Sequence, residues 1–285
     1  TLVYDTIYKS ENSIFTDVDT IAVLSDLHGQ LPLTLDLLKN NTIIDNDLNW
    51  NFGKGHLVVV GDIFDRGDQV NELLWLVYKL EYQAKEQGGK VHFLMGNHEY
   101  MVLLKDLRYI SETDQMVSKT MNCDFDELYN NKTVLGRWLR SKPIIIKIND
   151  HIFVHAGISQ AFLSKVEFDI EAINNTMQKA INQRPEDLKS TDLYTTYFKR
   201  TGPIWYRGYF DENMKDEEIS KILSETNSKH IIVGHTSQKQ IVRLFDGKVF
   251  GVDSSIKRGE NGEILFIVNN KFFRGTKDGK RVDEF

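Results

Sequence analysis

Residues 56–67 read HLVVVGDIFDRG, and in this stretch an apolar run leads directly into a cluster of charged side chains. The run at 57–60 is short and rich in β-branched residues, so it predicts a buried β-strand. Asp62, Asp65 and Arg66 follow its carboxyl end. In an open α/β sheet, ligands bind beyond the carboxyl ends of the strands, which makes this cluster a candidate site.

Four further polar clusters stand elsewhere in the chain, each directly after an apolar run. They are Asp26-Leu27-His28-Gly29, Gly96-Asn97-His98-Glu99, His155-Ala156-Gly157 and Gly234-His235-Thr236. The runs before them predict strands at 21–24, 91–95, 152–155 and 231–233, and a strand at 144–148 precedes the Asn149-Asp150 turn. Because every cluster stands at a strand end, we expect them to build one shared site.

The segments between these strands indicate an α/β protein. Apolar residues recur at helical spacing from Val70 to Leu80, before a Gly88-Gly89 stop, as in a helix that packs on a sheet. Mainly helical segments are predicted around 101–142 and 159–228, and β-hairpins after 233. The chain has 285 residues and 41% hydrophobic content, which predicts one domain over 1–285 with the two helical segments as elaborations.

Composition argues against several classes of protein. The net charge of -6 and an isoelectric point near 5.8 argue against nucleic acid as a partner, because nucleic-acid binding usually requires a basic surface. No apolar run approaches the ~20 residues of a membrane-spanning helix, so no membrane insertion is predicted. We expect a soluble protein, either cytoplasmic or, if a leader preceded Thr1, exported to the periplasm. The single Cys123 does not distinguish between these two compartments. The sequence does not indicate the oligomeric state either.

The polar clusters combine carboxylates, imidazoles and one amide. This mixed oxygen and nitrogen set suits manganese, iron or zinc ions, and it lacks the thiolates of a structural zinc site. Asp26 and His28 are two residues apart on an extended segment, so both side chains can face one ion, and Asp62 can bridge to a second. Two ions roughly 3.5–4 Å apart activate water and neutralise charge in phosphoryl displacement, so we expect hydrolysis of a phosphate ester.

Taken in order, the clusters resemble the signature of the phosphoprotein phosphatases, a branch of the calcineurin-like metallophosphatases. The resemblance runs from Asp26 to Thr236 and implies a central β-sandwich of mixed sheets flanked by helices. It implies that one metal ion is held by Asp26, His28 and Asp62, and the other by Asp62, Asn97, His155 and His235. The enzyme it implies is a phosphomonoesterase that hydrolyses phosphoprotein esters by attack of metal-activated hydroxide.

The same resemblance implies catalytic and substrate-binding roles. His98 is the general acid, Asp65 orients it, and Arg66 and Asn97 bind the substrate phosphate. Two departures from the eukaryotic pattern are Met95 in place of an arginine and Ser25 in place of a glycine. Nothing in the sequence resembles the C-terminal toxin-binding segment of those enzymes.

The stretch Gly202-Pro203-Ile204-Trp205-Tyr206-Arg207 is closer to the Shewanella-like bacterial branch. Members of that branch include phosphatases that act on phosphotyrosine, so the expected substrate carries phosphotyrosine, phosphoserine or phosphothreonine. Gly202 and Pro203 force a non-helical entry, and the two aromatic residues can anchor the segment by burial. We therefore expect Arg207 to join Arg66 in gripping the phosphate, because a guanidinium donates two parallel hydrogen bonds to a phosphoryl group.

Two other functions stay open at this stage. A diadenosine-tetraphosphatase-like nucleotide hydrolase has the same metal core, and the core residues do not separate it from a protein phosphatase. A non-catalytic phosphate-binding scaffold is disfavoured because it needs neither His98 nor Asp65. A structural role is expected for the histidines outside the clusters, which are His56, His92, His151 and His230. For Glu99 the main expectation is stabilisation of a helix N-terminus, and Asp253 is balanced between a turn and a supporting role in the site.

Overall fold

The computed structural model describes residues 7–285 and packs two β-sheets face to face, with helices on their outer faces. The strands are β1 (Ile14–Phe15), β2 (Thr20–Leu24), β3 (His56–Val59), β4 (Lys90–Phe93), β5 (Ile145–Ile148), β6 (His151–Val154), β7 (His230–Val233), β8 (Val242–Leu244), β9 (Val249–Gly251), β10 (Glu263–Val268), β11 (Lys271–Thr276) and β12 (Arg281–Val282). The α-helices are α1 (Leu31–Asn40), α2 (Val70–Glu86), α3 (Asn97–Leu103), α4 (Glu112–Met121), α5 (Val134–Arg140), α6 (Gln160–Leu163), α7 (Ile170–Ala180), α8 (Pro185–Lys189), α9 (Asp192–Tyr197) and α10 (Asp216–Glu225). Single 3-10 turns lie at Phe125–Tyr129, Gly208–Phe210, Phe245–Gly247 and Ile256–Arg258.

Both sheets mix parallel and antiparallel pairs. One has the strand order β1-β5-β6-β7-β9-β8, and the other has the order β12-β11-β10-β2-β3-β4. Strands β2, β3 and β4 are parallel neighbours, as are β6, β7 and β9, whereas β10 pairs antiparallel with both β2 and β11. The predicted α/β fold with a central sandwich of mixed sheets is confirmed.

Alternating side chains of the central strands enter two different layers of the core. Ile21 and Val23 of β2 face the interior of the sandwich, whereas Ala22 and Leu24 face the helices that cover the sheet. Parallel strands covered on both faces need apolar residues at every position, which explains the uninterrupted apolar runs. Burial of each large aliphatic side chain contributes about 1.5–3 kcal/mol.

The predicted strands agree with the observed ones to within one or two residues. Strand β3 ends at Val59 and β4 at Phe93, slightly before the predicted ends, because the following residues leave the sheet as loops. The predicted helix near 70–80 extends to Glu86. The prediction of a single domain spanning 1–285 stays a prediction, and residues 1–6 lie outside the described part.

After residue 233 the chain is not only a series of hairpins. Asn269 and Asn270 form a two-residue turn with φ of 48° and 60°, which joins β10 to β11 in a hairpin. Strand β9, however, pairs parallel with β7 as well as antiparallel with β8, so it extends the sheet that carries β6 and β7. Within residues 7–285, no helix has both the length and the apolar character needed to cross a membrane.

Candidate active site

Two loops at the carboxyl ends of β2 and β3 lie side by side. The Asp26 N–H donates to the Gly61 carbonyl (3.1 Å), and the His28 N–H donates to the Asp62 carbonyl (3.0 Å). Asp26, His28 and Asp62 have left-handed backbones, with φ of 55°, 41° and 57°. Such strain at non-glycine residues persists only where neighbouring structure holds it, and it is common at functional sites. The paired loops therefore hold three polar side chains in one arrangement.

The fully buried Glu99 side chain ties the Asp62 loop to helix α3. One carboxylate oxygen accepts from the N–H groups of Asp62 (2.9 Å) and Gly96 (2.7 Å). The other accepts from Ile63 (2.7 Å) and Phe64 (3.3 Å). The sequence predicts a helix N-terminal role for this residue, and the structure adds a second one, because three of the four donors belong to the Asp62 loop.

His28 directs one ring nitrogen toward two carboxylates. Its Nδ1 lies 2.7 Å from the Phe64 carbonyl, which can only accept, so Nδ1 is the donor and Nε2 carries the free lone pair. Nε2 lies 3.8 Å from Asp26 Oδ1 and 3.8 Å from Asp62 Oδ2. A backbone bond that sets the tautomer of a histidine in this way is typical of metal-ligating histidines.

The Asp26 carboxylate is oriented by two donors on its other oxygen. Oδ2 accepts from the Ser25 hydroxyl (2.5 Å) and from the His235 N–H (2.9 Å), which leaves Oδ1 toward His28. Ser25, the residue that departs from the expected glycine, thus contributes a hydrogen bond to the site. The Asp26 carboxylate also connects the β2 loop to the β7 loop, which come from different sheets.

A second group of lone pairs meets at His155. His155 Nδ1 lies 2.7 Å from the Val60 carbonyl, so in the neutral ring Nε2 carries the lone pair. That Nε2 lies 3.0 Å from Asn97 Oδ1, 3.2 Å from His235 Nδ1 and 3.3 Å from Asp62 Oδ2. With the imidazoles neutral, these atoms are acceptors that face one another, an arrangement that a cation between them would stabilise.

The residues present fit divalent metal ions. Ligand atoms of His28, Asp62 and His98 lie within 4.8 Å of one another, and so do those of Asp62, His155 and His235. Asp62 belongs to both groups. Among residues 7–285, His235 Nε2 is also a buried nitrogen without a hydrogen-bond partner. Every donor atom is oxygen or nitrogen, as manganese, iron and zinc accept.

Several ionisable side chains lie close together in this site and shift one another's pKa. Burial raises the pKa of the Asp26 carboxyl well above its ordinary value, and the neighbouring Asp253 and Asp62 carboxylates raise it further. Burial also raises the pKa of Asp62, but the His155 and His98 imidazoles outweigh it and hold that pKa well below its ordinary value. For His155, burial lowers the pKa while Asp62 raises it, and the net result is about 10. Bound cations would supply positive charge next to these buried carboxylates.

His98 and Asp65 form a buried pair beside Asp62. His98 Nδ1 lies 2.5 Å from Asp65 Oδ2, and His98 Nε2 lies 3.9 Å from Asp62 Oδ2. Burial lowers the pKa of His98, but the Asp62 and Asp65 carboxylates outweigh it and raise that pKa above its ordinary value. An imidazolium held by a carboxylate on Nδ1 has a proton to donate from Nε2, so the geometry suits a general acid.

The two predicted phosphate-binding arginines lie on different loops. Arg66 is exposed, its N–H donates to the Tyr109 carbonyl (3.1 Å), and its guanidinium carbon lies 5.4 Å from the centre of the Tyr109 ring. Arg207 is also exposed, and its Nη1 donates to the His235 carbonyl (2.8 Å) and the Thr236 hydroxyl (3.2 Å). The structure thus brings Arg207 to the loop that carries His235, although 28 residues separate the two in sequence.

Sequence reasoning missed two features of the site. Tyr109 lies against both Arg66 and His98, with 5.5 Å between the His98 and Tyr109 ring centres. No motif marks it, because it stands alone between two helical segments. The second feature is a cavity of about 390 Å³ that opens beside Asn97 and Trp205. Three aromatic residues line it, namely Tyr100 of α3, Tyr194 of α9 and Phe198, which follows α9.

Buried carboxylates and imidazoles at the edge of a β-sandwich, next to a histidine placed to donate a proton, define a metallohydrolase. The model of the calcineurin-like phosphoesterase family matches residues 19–239, and the chain belongs to that family, whose members use divalent metal ions. It is therefore a phosphoesterase, as the sequence predicts.

Three similar proteins indicate which branch of the family this chain resembles. The crystal structure of a cold-active protein-tyrosine phosphatase of a psychrophilic Shewanella species is 45% identical, with a TM-score of 0.94 over 97% of this chain and 83% of that one. Shewanella-like protein phosphatase 1 of Plasmodium berghei is 26% identical over 87% of this chain and 72% of its own length. Shewanella-like protein phosphatase 2 of Arabidopsis thaliana is 24% identical over 88% and 76%. The predicted similarity to the Shewanella-like branch is confirmed.

Proposed function

We propose that this protein is a two-metal phosphomonoesterase that hydrolyses phosphorylated proteins. The observation that carries the proposal is that Asp62 belongs to both groups of candidate ligands, with its Oδ2 3.8 Å from His28 Nε2 and 3.3 Å from His155 Nε2. One carboxylate between two sets of lone pairs suits a pair of ions that share a ligand.

The first ion would be held by Asp26, His28 and Asp62, and the second by Asp62, Asn97, His155 and His235. Manganese, iron and zinc all accept this set of ligands. When bound, the ions supply an activated water and neutralise the phosphate oxygens. Glu99 and the Phe64 carbonyl support the ligands from behind, since they fix the Asp62 loop and the His28 tautomer.

The reaction also needs a proton for the leaving group. His98 Nε2 would donate it to the ester oxygen, while Asp65 holds Nδ1 and stabilises the imidazolium before transfer. Arg66, Arg207 and Asn97 would bind the phosphate, because guanidinium and amide N–H groups donate to its oxygens. A phosphate-binding scaffold needs no such proton donor, which favours an enzyme.

A phosphorylated protein is the substrate class favoured by similarity. The relative that is 45% identical is a protein-tyrosine phosphatase, and the two more distant relatives bear the name of protein phosphatases. The cavity beside Asn97 offers room for substrate groups next to the phosphate. Both phosphotyrosine and phosphoserine or phosphothreonine esters belong to the proposed substrates.

The proposal is tested by removing the metal. Protein treated with a chelator should lose p-nitrophenyl phosphatase activity and regain it with Mn²⁺, because the water is activated only by the ions. Asp62→Asn should lose both tightly bound metals and turnover, and Asp47→Asn on the surface serves as the matched control. Full activity in the metal-free protein, or normal turnover in Asp62→Asn, would contradict the proposal. Phosphotyrosine and phosphoserine peptides should then be cleaved faster than diadenosine tetraphosphate.

A further inference from the structure

Tyr109 lies at the edge of the candidate active site, in the connection between α3 and α4. Its side chain is 42% exposed, and it belongs to none of the polar clusters. Its ring centre lies 5.5 Å from that of His98. The inference drawn from it rests on the proposed function, since it concerns how Arg66 reaches a bound phosphate.

Arg66 stands on a strained loop that Tyr109 holds from outside. Asp65 and Arg66 are consecutive non-glycine residues with φ of 70° and 71°, a conformation that needs support from neighbouring structure. The Arg66 N–H donates to the Tyr109 carbonyl at 3.1 Å. The backbone of Tyr109 therefore anchors the loop at the residue that carries the guanidinium.

The ring of Tyr109 also contacts the side chain of Arg66. The Arg66 guanidinium carbon lies 5.4 Å from the ring centre, within the range of a cation–π interaction. A long, exposed arginine side chain otherwise samples many rotamers, and that freedom would have to be lost when a phosphate binds. Contact with the ring restricts Arg66 before the ligand arrives.

Arg108 lies against the same ring but is already neutralised. Its guanidinium carbon is 5.6 Å from the ring centre, and its Nε and Nη2 donate to the Asp106 carboxylate at 2.9 and 2.5 Å. Arg66, by contrast, has no ion pair with any carboxylate within the described chain, 7–285. Of the two cations beside Tyr109, Arg66 is the one whose charge is available to an anion.

We propose that Tyr109 is a positioning residue that holds the Arg66 guanidinium in place for the substrate phosphate. The carbonyl fixes the loop, and the ring fixes the side chain. Only the second contribution depends on the identity of residue 109, so substitutions at this position isolate it.

The direct test measures binding of inorganic phosphate to the Mn²⁺-loaded protein by calorimetry, without turnover. Tyr109→Ala should weaken phosphate binding about 3- to 20-fold, the range expected from loss of one cation–π contact. Tyr109→Phe keeps the ring and should stay within about 2-fold of wild type. Tyr82→Ala, which removes a tyrosine of similar exposure (48%) on α2, is the matched control. Unchanged phosphate binding in Tyr109→Ala, with an unchanged melting temperature, would overturn the proposal.

A double-mutant cycle with Arg66→Ala, which removes the cation, tests whether Tyr109 acts through Arg66. If it does, Tyr109→Ala should add little to the loss already caused by Arg66→Ala, whereas independent effects would multiply. Tyr109→Ala should also lower kcat/KM equally for p-nitrophenyl phosphate and a phosphoserine peptide, mainly through KM. A larger loss on the phosphoserine peptide, or multiplied effects in the cycle, would assign Tyr109 to His98 instead and reject the proposal. Absence of metal-dependent turnover in the wild type would reject the proposed function alone, because the calorimetric test needs no turnover.

Discussion

At the scale of single residues, the Glu99 carboxylate accepts four backbone hydrogen bonds. It lies entirely inside the protein and accepts from Asp62, Ile63, Phe64 and Gly96. Burial and the neighbouring Asp62 carboxylate raise the pKa of Glu99, and the backbone N–H groups of Asp62 and Ile63 oppose that rise in part. Glu99 fixes the backbone from which Asp62 extends, so it supports the metal site without facing it.

Glu99→Gln should both destabilise the protein and loosen the site. The amide has one acceptor oxygen, so its NH₂ group would face two N–H donors, and about 2–4 kcal/mol of unfolding free energy should be lost. The measurements are urea unfolding and metal content after dialysis. Glu217→Gln in the exposed first turn of α10 is the control and should change neither. Normal metal retention in Glu99→Gln would separate Glu99 from the metal site.

His98→Ala should lower kcat by an amount that depends on the leaving group of the substrate. Loss of a positioned general acid should lower kcat by about 10²–10⁴-fold on a phosphoserine peptide and less on p-nitrophenyl phosphate, whose leaving group needs less protonation. Asp65→Asn should follow the same pattern more weakly, since it acts through His98. The measurement is kcat for both substrates at saturating Mn²⁺. Equal losses on the two substrates would argue against His98 as the acid.

At the scale of elements, an ion cluster joins the N-terminal segment to α2 and to the connection between α5 and β5. The Lys142 side chain is only 1% exposed, and its ammonium pairs with Glu81 at 2.6 Å and also with Glu11. It also lies 4.6 Å from the centre of the Trp138 ring. Burial lowers the pKa of Lys142, but the two carboxylates outweigh it and raise that pKa, so the charge is retained. These buried charges stabilise the fold, whereas those of the candidate active site serve its chemistry.

Lys142→Met should destabilise the fold strongly. It leaves two partly buried carboxylates without a cation, and breaking a buried ion pair in this way costs about 3–5 kcal/mol. Adding Glu81→Gln should recover part of the loss. The measurement is the urea unfolding midpoint, with Lys229→Met as the control, because the Lys229–Asp150 pair is largely exposed. Equal effects of the two lysine substitutions would show that burial of the pair contributes little.

At the scale of the whole molecule, the two ends of the sandwich hold histidines in different surroundings. The site occupies the carboxyl ends of the parallel strands, and four histidines outside the clusters lie near the amino ends. His56 Nδ1 and His92 Nε2 are 2.9 Å apart, and the His151 and His230 rings pack with centres 5.0 Å apart. Burial lowers the pKa of His56 and of His151 to about 4. Both are therefore neutral in the folded protein near neutral pH.

Stability should fall as the pH falls from about 6.5 toward about 4. In this window the unfolded chain protonates its histidines near their ordinary pKa of 6.5, whereas the folded protein does not, so protons favour unfolding. The stabilisation is complete above the unfolded pKa and is lost as the pH approaches the folded one. His151→Phe should flatten the slope of unfolding free energy against pH, measured by urea unfolding at fixed Mn²⁺. An unchanged slope would exclude His151 as a source of acid sensitivity.

The sequence by itself determined the strands and the polar residues that follow them. Apolar runs such as residues 57–60 predict strands because a doubly covered strand needs apolar side chains at every position. The polar clusters predict a shared site because carboxyl ends of parallel strands meet at one edge. Asp26, His28, Asp62 and Asn97 lie together for this reason at one sheet, and His155 and His235 at the other, whereas the packing of the two sheets brings the two groups into one site.

Only the tertiary structure decided which loops support that site. Glu99 reaches the Asp62 loop, Tyr109 lies against Arg66, and Arg207 donates to the carbonyl of His235. None of these contacts follows from spacing or periodicity, because each joins segments whose relative position depends on how helices and loops pack over the sheets. Secondary structure is specified by neighbours in sequence, whereas support of an active site is specified by neighbours in space.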